Sequence, residues 1–369
     1  MIGALPAALL PDGIAARHIR DVNGLDMHIL EAGDPAAPLL LLVHGFPELA
    51  YSWRKIMLPL ADAGYHVVAP DQRGYGRTTG ADTGYSADLE PYRMIGAATD
   101  MLALVRALGH KRVAAVIGHD FGSPVAAWCA LARPDVFPAV VLMSAPFGGP
   151  PGLSGGNMAG VLADLTALPR PRKHYVWHYS TPGANAEMMG HPAGLHAFLR
   201  AYYHAKSADW PGNAPFPLGA FTAAELAKLP DYYIMDLQLG MAATVAPLLP
   251  TPTQIAACDW LPDAELAVYT QEYARTGFQG GLNYYRGRSD GSNRPERLFA
   301  GRGIDVPALF IAGAKDWGIY QRPGEIEAMQ TRVCKDFRGL HLIDNAGHWV
   351  QQEQPGAVVA ALMPFLTGL

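Results

Sequence analysis

A single carboxylate stands between two glycines in the stretch VIGHDFGSPVAAW, residues 116–128. The apolar run RVAAVIG before it is typical of a buried strand, and SPVAAWCALA after it is typical of a helix. A strand that turns sharply into a helix strains the residue between them and tolerates only small neighbours, here Gly118 and Gly122. An ordinary polar turn could show the same pattern. We interpret Asp120 as a nucleophile held beside the positive end of a helix.

Two later residues have the types and positions that such a nucleophile requires. It needs a histidine base and an acid that orients the histidine, both later in the chain. Asp316 follows the strand-like run VPALFIAGAK, and His348 follows LHLIDNAG. A lone polar residue after a strand is usually a solvated loop residue. Three such placements in the order nucleophile, acid, base predict a catalytic triad of Asp120, Asp316 and His348.

The segment HGFP, residues 44–47, follows another strand-like run, LLLLV. Its turn would aim the N–H of Phe46, together with the N–H of Phe121, at an oxygen that becomes negatively charged during the reaction. An ordinary Gly-Pro turn could have the same four residues, but the following GYHVVAPDQRGYGRT favours a functional turn. We therefore predict an oxyanion hole formed by the backbone of Phe46 and Phe121.

An aspartate nucleophile predicts different chemistry from a serine nucleophile. A serine must lose its proton before it attacks a planar carbonyl, whereas a carboxylate is already ionised at neutral pH and can displace a leaving group from saturated carbon. The product of that attack is an alkyl ester of Asp120. His348 would then activate water against the ester carbonyl, while Asp316 holds the imidazole in its correct tautomer.

The elements that must position these residues follow from the apolar pattern. Short apolar runs bounded by turn residues alternate with longer alanine-rich stretches, which predicts an α/β fold with a mostly parallel sheet and helices on both faces. MHILEAG alternates in polarity, and we place it at an edge of the sheet. The other predicted strands are residues 38–45, 65–71, 112–118, 138–146, 306–316 and 340–348.

The pattern changes between Phe147 and about Gly303, where no buried strand run occurs and glycine and proline cluster at GGPPGLSGG. Helical periodicity dominates this region. One apolar helical stripe consists of Leu195, Phe198, Leu199, Tyr202 and Tyr203. We predict a core domain of residues 1–147 and 304–369, with a mainly helical cap domain, residues 148–303, inserted into it.

Composition narrows the classes of partner. The chain has 369 residues and a net charge of -5 without a basic or acidic run, which argues against a nucleic-acid or anionic-membrane surface. Its three cysteines are far apart and form no CxxC pair, which fits a reducing compartment. The start, MIGALPAALLPDG, lacks the features of a signal peptide or membrane helix, so we predict a cytoplasmic protein. No metal-ligand spacing or dinucleotide glycine pattern occurs, and no cofactor is expected.

Several motifs together carry a family resemblance that extends from about His18 to the end of the chain. They are HGFPE, SWR, DQRGYGRT, GHDFG, LNYYRG, KD at 315–316 and GHW at 347–349. This combination resembles the α/β-hydrolase-fold epoxide hydrolases, and it implies that fold and the conversion of a small-molecule epoxide and water into a vicinal diol. It also implies two cap tyrosines that hold the epoxide oxygen. Tyr285 matches the second through its Asn-x-Tyr-Arg pattern, and Tyr175 matches the first, with Tyr179 as a nearby rival.

Other hydrolases with an aspartate nucleophile are the alternatives. Haloalkane dehalogenases typically have a tryptophan after the nucleophile and often Asn or Glu in the HG-x-P turn, where this chain has Phe121 and Phe46. Fluoroacetate dehalogenases use arginines just after the nucleophile, where Ser123 and Pro124 stand here. An esterase would lack its serine, and a noncatalytic binding protein would not need a triad. We therefore keep a haloalkane or haloacid dehalogenase as the alternative function.

Two polar residues near the predicted triad have less certain roles in the sequence. His119 is expected to pack beneath the turn rather than to act in catalysis. Glu48 could support a water network near His348 or cap a turn, and the sequence favours neither. The oligomeric state and the size of the substrate stay open.

Overall fold

The computed structural model describes residues 2–153, 158–289, 291 and 294–369. Within these ranges the strands are β1 Ala15–Val22, β2 Leu25–Ala32, β3 Leu39–Val43, β4 His66–Pro70, β5 Ala115–His119, β6 Val140–Met143, β7 Arg172–His174, β8 Ile234–Asp236, β9 Ile304–Gly313 and β10 Cys334–Ile343. All except β7 and β8 belong to one eight-stranded sheet in the order β1-β2-β4-β3-β5-β6-β9-β10.

Pairing is parallel from β4 to β10 and antiparallel at β1 and β2. Strands β3, β4, β5 and β6 are buried along their whole length. Burial on both faces explains why these segments are continuous apolar runs rather than alternating ones. The predicted α/β fold with a mostly parallel sheet is confirmed, and the carboxyl ends of β3, β5 and β9 lie along one edge.

The predicted edge position of MHILEAG is wrong. This segment forms β2, which pairs with β1 on one side and with β4 on the other. The edge strand at this end of the sheet is β1, and the sequence did not indicate it because most of its side chains are exposed or only partly buried. A strand without a buried face carries little apolar periodicity.

The helices fall into two groups along the chain. In the core, α1 packs against α16, and α2 packs against α3. Helices α4 to α13 lie between β6 and β9. The bounds are α1 Arg54–Asp62, α2 Met94–Ala107, α3 Gly122–Ala132, α4 Met158–Thr166, α5 Tyr175–Tyr179, α6 Ala184–Met189, α7 Gly194–Lys206, α8 Ala223–Leu226, α9 Met241–Val245, α10 Pro252–Ala256, α11 Asp263–Thr276, α12 Gln279–Ser289, α13 Arg294–Arg297, α14 Glu325–Ala328, α15 Val350–Glu353 and α16 Pro355–Thr367.

The segment between β6 and β9 is mainly helical where it is described, and α7 contains the predicted apolar stripe. It also contains a two-stranded antiparallel sheet, β7 with β8, that the sequence pattern did not indicate because each strand has only three residues. Residues 154–156 of the GGPPGLSGG cluster lie outside the described residues. The boundaries of a separate cap domain stay a prediction. No described helix is long and apolar enough to cross a membrane.

Candidate active site

Asp120 lies in the tight turn between β5 and α3. Its φ is 51°, in the left-handed region that non-glycine residues rarely adopt. A Cβ on Gly118 would lie 2.0 Å from the carbonyl oxygen of Gly122, and a Cβ on Gly122 would lie 2.0 Å from the carbonyl oxygen of Val43. Any side chain at either position would therefore push the strand and the helix apart. The predicted strained turn between two obligatory glycines is confirmed.

The two carboxylate oxygens of Asp120 have different partners. The Phe46 N–H donates to Oδ1 at 2.8 Å, and Nε2 of His348 lies 3.2 Å from Oδ2. The preceding Gly45 makes the first contact possible, because a Cβ there would lie 2.4 Å from Oδ1. The Phe46–Pro47 peptide bond is cis. The structure thus brings the Phe46 N–H to Asp120, while the oxyanion-hole roles of the Phe46 and Phe121 N–H groups stay predictions.

His348 lies between two carboxylates. Its Nδ1 is 3.1 Å from both Oδ atoms of Asp316, which is 1% exposed. The Gly318 N–H donates to Oδ1 of Asp316 at 2.6 Å, so the acid is itself held in place. Asp120 and Asp316 follow β5 and β9, and His348 follows β10, so the three residues meet at the carboxyl ends of their strands. Their geometry is that of a nucleophile, a base and an orienting acid.

The charges of Asp120 and His348 stabilise each other's ionised forms. Burial alone would lower the pKa of His348, but the charge of Asp316 and hydrogen bonds to both carboxylates raise the pKa to about 9. Burial would likewise raise the pKa of Asp120, yet the hydrogen bond and charge of His348 hold it well below its usual range. In the resting site at neutral pH, Asp120 is therefore an ionised carboxylate beside an imidazolium.

A buried pair, His119 and Glu48, contacts the segments that carry His348 and Phe46. Nδ1 of His119 lies 2.5 Å from a Glu48 oxygen, and Nε2 lies 2.7 Å from the backbone oxygen of His348. The other Glu48 oxygen accepts from Gln351 at 2.8 Å. Burial alone would raise the pKa of Glu48, but the charge of His119 holds it below its ordinary value. His119 thus lies beneath the turn, as expected, and ties it to His348.

The structure also bears on the two interpretations of Glu48. Its Oε2 accepts the Gly45 N–H at 3.2 Å, so the side chain does cap the turn that presents Phe46. The water network near His348 stays a hypothesis.

Glu353 is a positioning residue that the sequence reasoning missed. Its carboxylate accepts the N–H of Gly347 and of Trp349, each at 2.9 Å, and the N–H of Ala208 at 2.8 Å. These bonds fix the backbone on both sides of His348 and attach it to the loop after α7. The available signal was an acidic residue five positions after His348, in the WVQQEQP segment.

Tyr175 and Tyr285 lie together near Asp120. Their ring centroids are 5.9 Å apart, and the Tyr285 ring lies 5.5 Å from that of Phe46 and 5.2 Å from that of Phe121. The Tyr175 hydroxyl donates to Gln321 at 3.3 Å. Burial first, and then the charge of Asp120, raise the pKa of both phenols. Both therefore stay protonated at neutral pH and can act as hydrogen-bond donors.

Tyr179 is placed differently from its rival Tyr175. It is fully buried, and its hydroxyl donates to the hydroxyl of Tyr202 at 3.1 Å. Burial raises its pKa, and the next largest contributions come from Tyr202, Tyr175 and Glu187. This arrangement favours Tyr175 as the first tyrosine of the pair.

Known proteins are similar to this chain in both fold and sequence. Residues 38–170 match the family model described as alpha/beta hydrolase fold. The chain is 36% identical to Epoxide hydrolase A of Mycobacterium tuberculosis (strain ATCC 25618 / H37Rv), over 97% of this chain and 99% of that protein. The chain belongs to the α/β-hydrolase-fold epoxide hydrolases.

Solved structures of the epoxide hydrolase family agree with this membership. The crystal structure of Epoxide Hydrolase A from Mycobacterium thermoresistibile is 35% identical, with a TM-score of 0.76 over 96% of this chain and 99% of that one. An epoxide hydrolase from an endophytic Streptomyces is 33% identical, with a TM-score of 0.76 over 97% and 96% of the two chains. The resemblance inferred from the motifs is confirmed. The roles of individual residues rest on the geometry above.

Proposed function

We propose that the protein hydrolyses an epoxide to a vicinal diol through a covalent ester on Asp120. One observation carries this proposal. The Asp120 carboxylate is held by the Phe46 N–H on one oxygen and by His348 on the other, with two protonated tyrosines nearby. A carboxylate nucleophile, a base and phenolic acids are the groups that a strained cyclic ether requires.

In the first step, Oδ2 of Asp120 attacks an epoxide carbon while Oδ1 stays with the Phe46 N–H. The carbon–oxygen bond of the ring breaks, and its electron pair goes to the epoxide oxygen. Tyr175 and Tyr285 hold that oxygen, and one of them supplies its proton. The result is a hydroxyalkyl ester of Asp120.

Before the second step, the resting proton of His348 returns to the tyrosine that protonated the epoxide oxygen, which leaves a neutral imidazole. In the second step, water loses a proton to Nε2 of that imidazole and attacks the carboxyl carbon of Asp120. The ester carbonyl oxygen becomes an oxyanion, which the Phe46 N–H stabilises, together with the Phe121 N–H if both donors converge as the sequence predicts. Collapse of this intermediate breaks the ester bond, and the departing alkoxide takes its proton from the His348 imidazolium, which Asp316 has stabilised, to give the diol. The carboxylic acid proton of Asp120 then passes to His348. The enzyme returns with Asp120 ionised.

A substrate panel tests the reaction type. Purified protein incubated separately with styrene oxide, a long-chain epoxide, a haloalkane, fluoroacetate and a nitrophenyl ester is expected to convert the epoxides to diols faster than it consumes the rest. Diol and halide are measured by chromatography and ion analysis. Halide release without diol formation would replace this proposal with the dehalogenase alternative.

The tyrosine pair gives a second test. Tyr175→Phe and Tyr285→Phe are each expected to slow alkylation by roughly 10²-fold, and the double variant is expected to abolish nearly all of it, because the leaving oxygen loses its proton donor. Single-turnover quenched flow measures the alkylation rate.

Two matched variants control for the loss of a phenol elsewhere in the same segments. Tyr179→Phe lies one helical turn from Tyr175. Tyr284→Phe is adjacent to Tyr285 on α12, and its ring packs against Tyr75, Tyr92 and Phe121. Both controls should alkylate at close to the parent rate. Full activity in Tyr175→Phe with a large loss in Tyr179→Phe would move the first tyrosine to position 179.

The proposed partners are a small-molecule epoxide and water, and the proposal needs no metal or cofactor. A cytoplasmic location, and the lack of nucleic-acid and membrane partners, stay predictions from the sequence.

A further inference from the structure

Lys206 is a buried cation that the mechanism above does not use. It is the last residue of α7, and the whole residue is 4% exposed. Its Nζ has no hydrogen bond or ion pair among the residues that the structure describes. An ammonium in a residue this buried loses most of its hydration without gaining a hydrogen bond, which costs free energy. Its place at the carboxyl end of a helix favours a positive charge.

Aromatic rings surround the Lys206 ammonium in place of hydrogen-bond acceptors. Nζ lies between 4.8 and 6.0 Å from the centroids of five rings, those of Tyr175, Tyr202, Tyr232, Tyr233 and Trp349. Electron-rich ring faces attract a cation without offering a proton acceptor such as a carboxylate. Burial lowers the pKa of Lys206, and the charges of Asp120, Asp316 and Glu48 oppose that lowering. The ring faces add to this stabilisation of a charge that no described carboxylate pairs with at salt-bridge distance.

This charge lies next to the catalytic base. The backbone N–H of His348 donates to the backbone oxygen of Lys206 at 2.8 Å, so α7 is fixed to the base itself. The ring of Trp349, one wall around the ammonium, lies 4.7 Å from the ring of His348. The position of Lys206 relative to His348 is therefore set by direct contacts.

The charged and titratable groups around both residues come from several elements. Those that face His348 are Asp120 and His119 at the end of β5, Asp316 after β9, and Lys206. Those that face the Lys206 ammonium are the carboxylates of Asp120, Asp316 and Glu48, besides the four tyrosines.

We propose that Lys206 is a positioning residue whose fixed charge keeps His348 unprotonated once Asp120 has become an ester, so that His348 can take a proton from water. This inference rests on the proposed two-step reaction. In the resting enzyme, the carboxylates of Asp120 and Asp316 both favour the imidazolium. Esterification removes the charge of Asp120, and the repulsion from Lys206 then opposes Asp316 alone.

The neighbouring groups shift the pKa of His348 in the directions that this proposal requires. Burial and the charge of Lys206 both lower the pKa of His348, whereas the two carboxylates raise it. Without the ammonium, the pKa of His348 in the ester would be higher, and the base would be protonated over more of the neutral range. The attack on the epoxide would change less, because it needs only an ionised Asp120 and protonated tyrosines.

Pre-steady-state kinetics of the full chain with styrene oxide test the inference. Alkylation and ester hydrolysis are measured between pH 5 and 9 for the parent, Lys206→Met, Lys206→Gln and Lys206→Arg. In the two neutral variants, the acid limb of the pH–rate profile for ester hydrolysis is expected to move up by about one pH unit. At a pH below that limb, hydrolysis should therefore be about tenfold slower than in the parent. Lys206→Arg should restore the parent limb.

A matched control is Lys173→Met, since that cap lysine faces Glu187 and Asp236 rather than the triad. Its hydrolysis profile should equal that of the parent. Melting temperature is recorded for every variant, and the neutral variants should remain folded because no described hydrogen bond of the ammonium is lost. An unshifted acid limb in both neutral variants, with rates lowered equally at every pH, would overturn the inference. Absence of any ester in the parent would instead overturn the two-step reaction.

Discussion

Asp120→Asn is expected to lose epoxide-hydrolysing activity by a factor on the order of 10⁴ or more, as removal of a nucleophile does in other hydrolases with a triad. An amide has no ionised oxygen with which to attack carbon, and its weak nucleophilicity blocks the first step outright. No covalent adduct should therefore form. Mass spectrometry of the peptide that contains residue 120, after mixing with excess styrene oxide, measures this directly. Slow deamidation back to Asp would appear as a gradual gain of activity and of adduct.

Isotope labelling of the parent protein completes this test. In one turnover in ¹⁸O water, the label should enter the Asp120 carboxylate, because the diol receives an oxygen that was part of that carboxylate. Water that attacked the epoxide directly would place ¹⁸O in the diol and leave the protein unlabelled. That second outcome would reduce Asp120 to a base and contradict the ester.

His348→Gln is expected to separate the two steps. Asp120 keeps its charge and its bond from the Phe46 N–H, so alkylation should continue, although the Asp120 carboxylate loses its imidazolium partner. Hydrolysis of the ester should slow by a factor on the order of 10³ or more, since no group remains at Nε2 to take a proton from water. An adduct should then accumulate on Asp120 within the first turnover.

The mass of that adduct also distinguishes the leaving groups. An opened epoxide adds the whole mass of the substrate, whereas displacement of a halide adds the substrate without the halogen. A His348→Ala variant supplied with imidazole provides a chemical control, because added base should release the adduct. Normal turnover in His348→Gln, with no adduct at any time, would contradict the role of His348.

Much of the site could be predicted because its parts are local in sequence. Gly118 and Gly122 bracket Asp120 within five residues, and the strain of the turn follows from that spacing alone. Asp316 and His348 follow apolar runs that form strands in the structure, and parallel strands align their carboxyl ends. These patterns predicted the sheet and the place where Asp120, Asp316 and His348 meet. The edge position of β1 was not predictable, because an exposed strand lacks apolar periodicity.

The tertiary structure decided what depends on contacts between distant segments. Glu353 and Lys206 are ordinary charged residues in the sequence, and only the packing of α7 against the His348 loop gives them partners and direction. The choice between Tyr175 and Tyr179 likewise depends on which phenol faces Asp120. Periodicity tells which face of an element is buried, but the charge felt by a buried group depends on neighbours hundreds of residues away. The sequence alone therefore predicted the type of chemistry and the three residues proposed to carry it, whereas the folded chain determined which charged groups surround those residues.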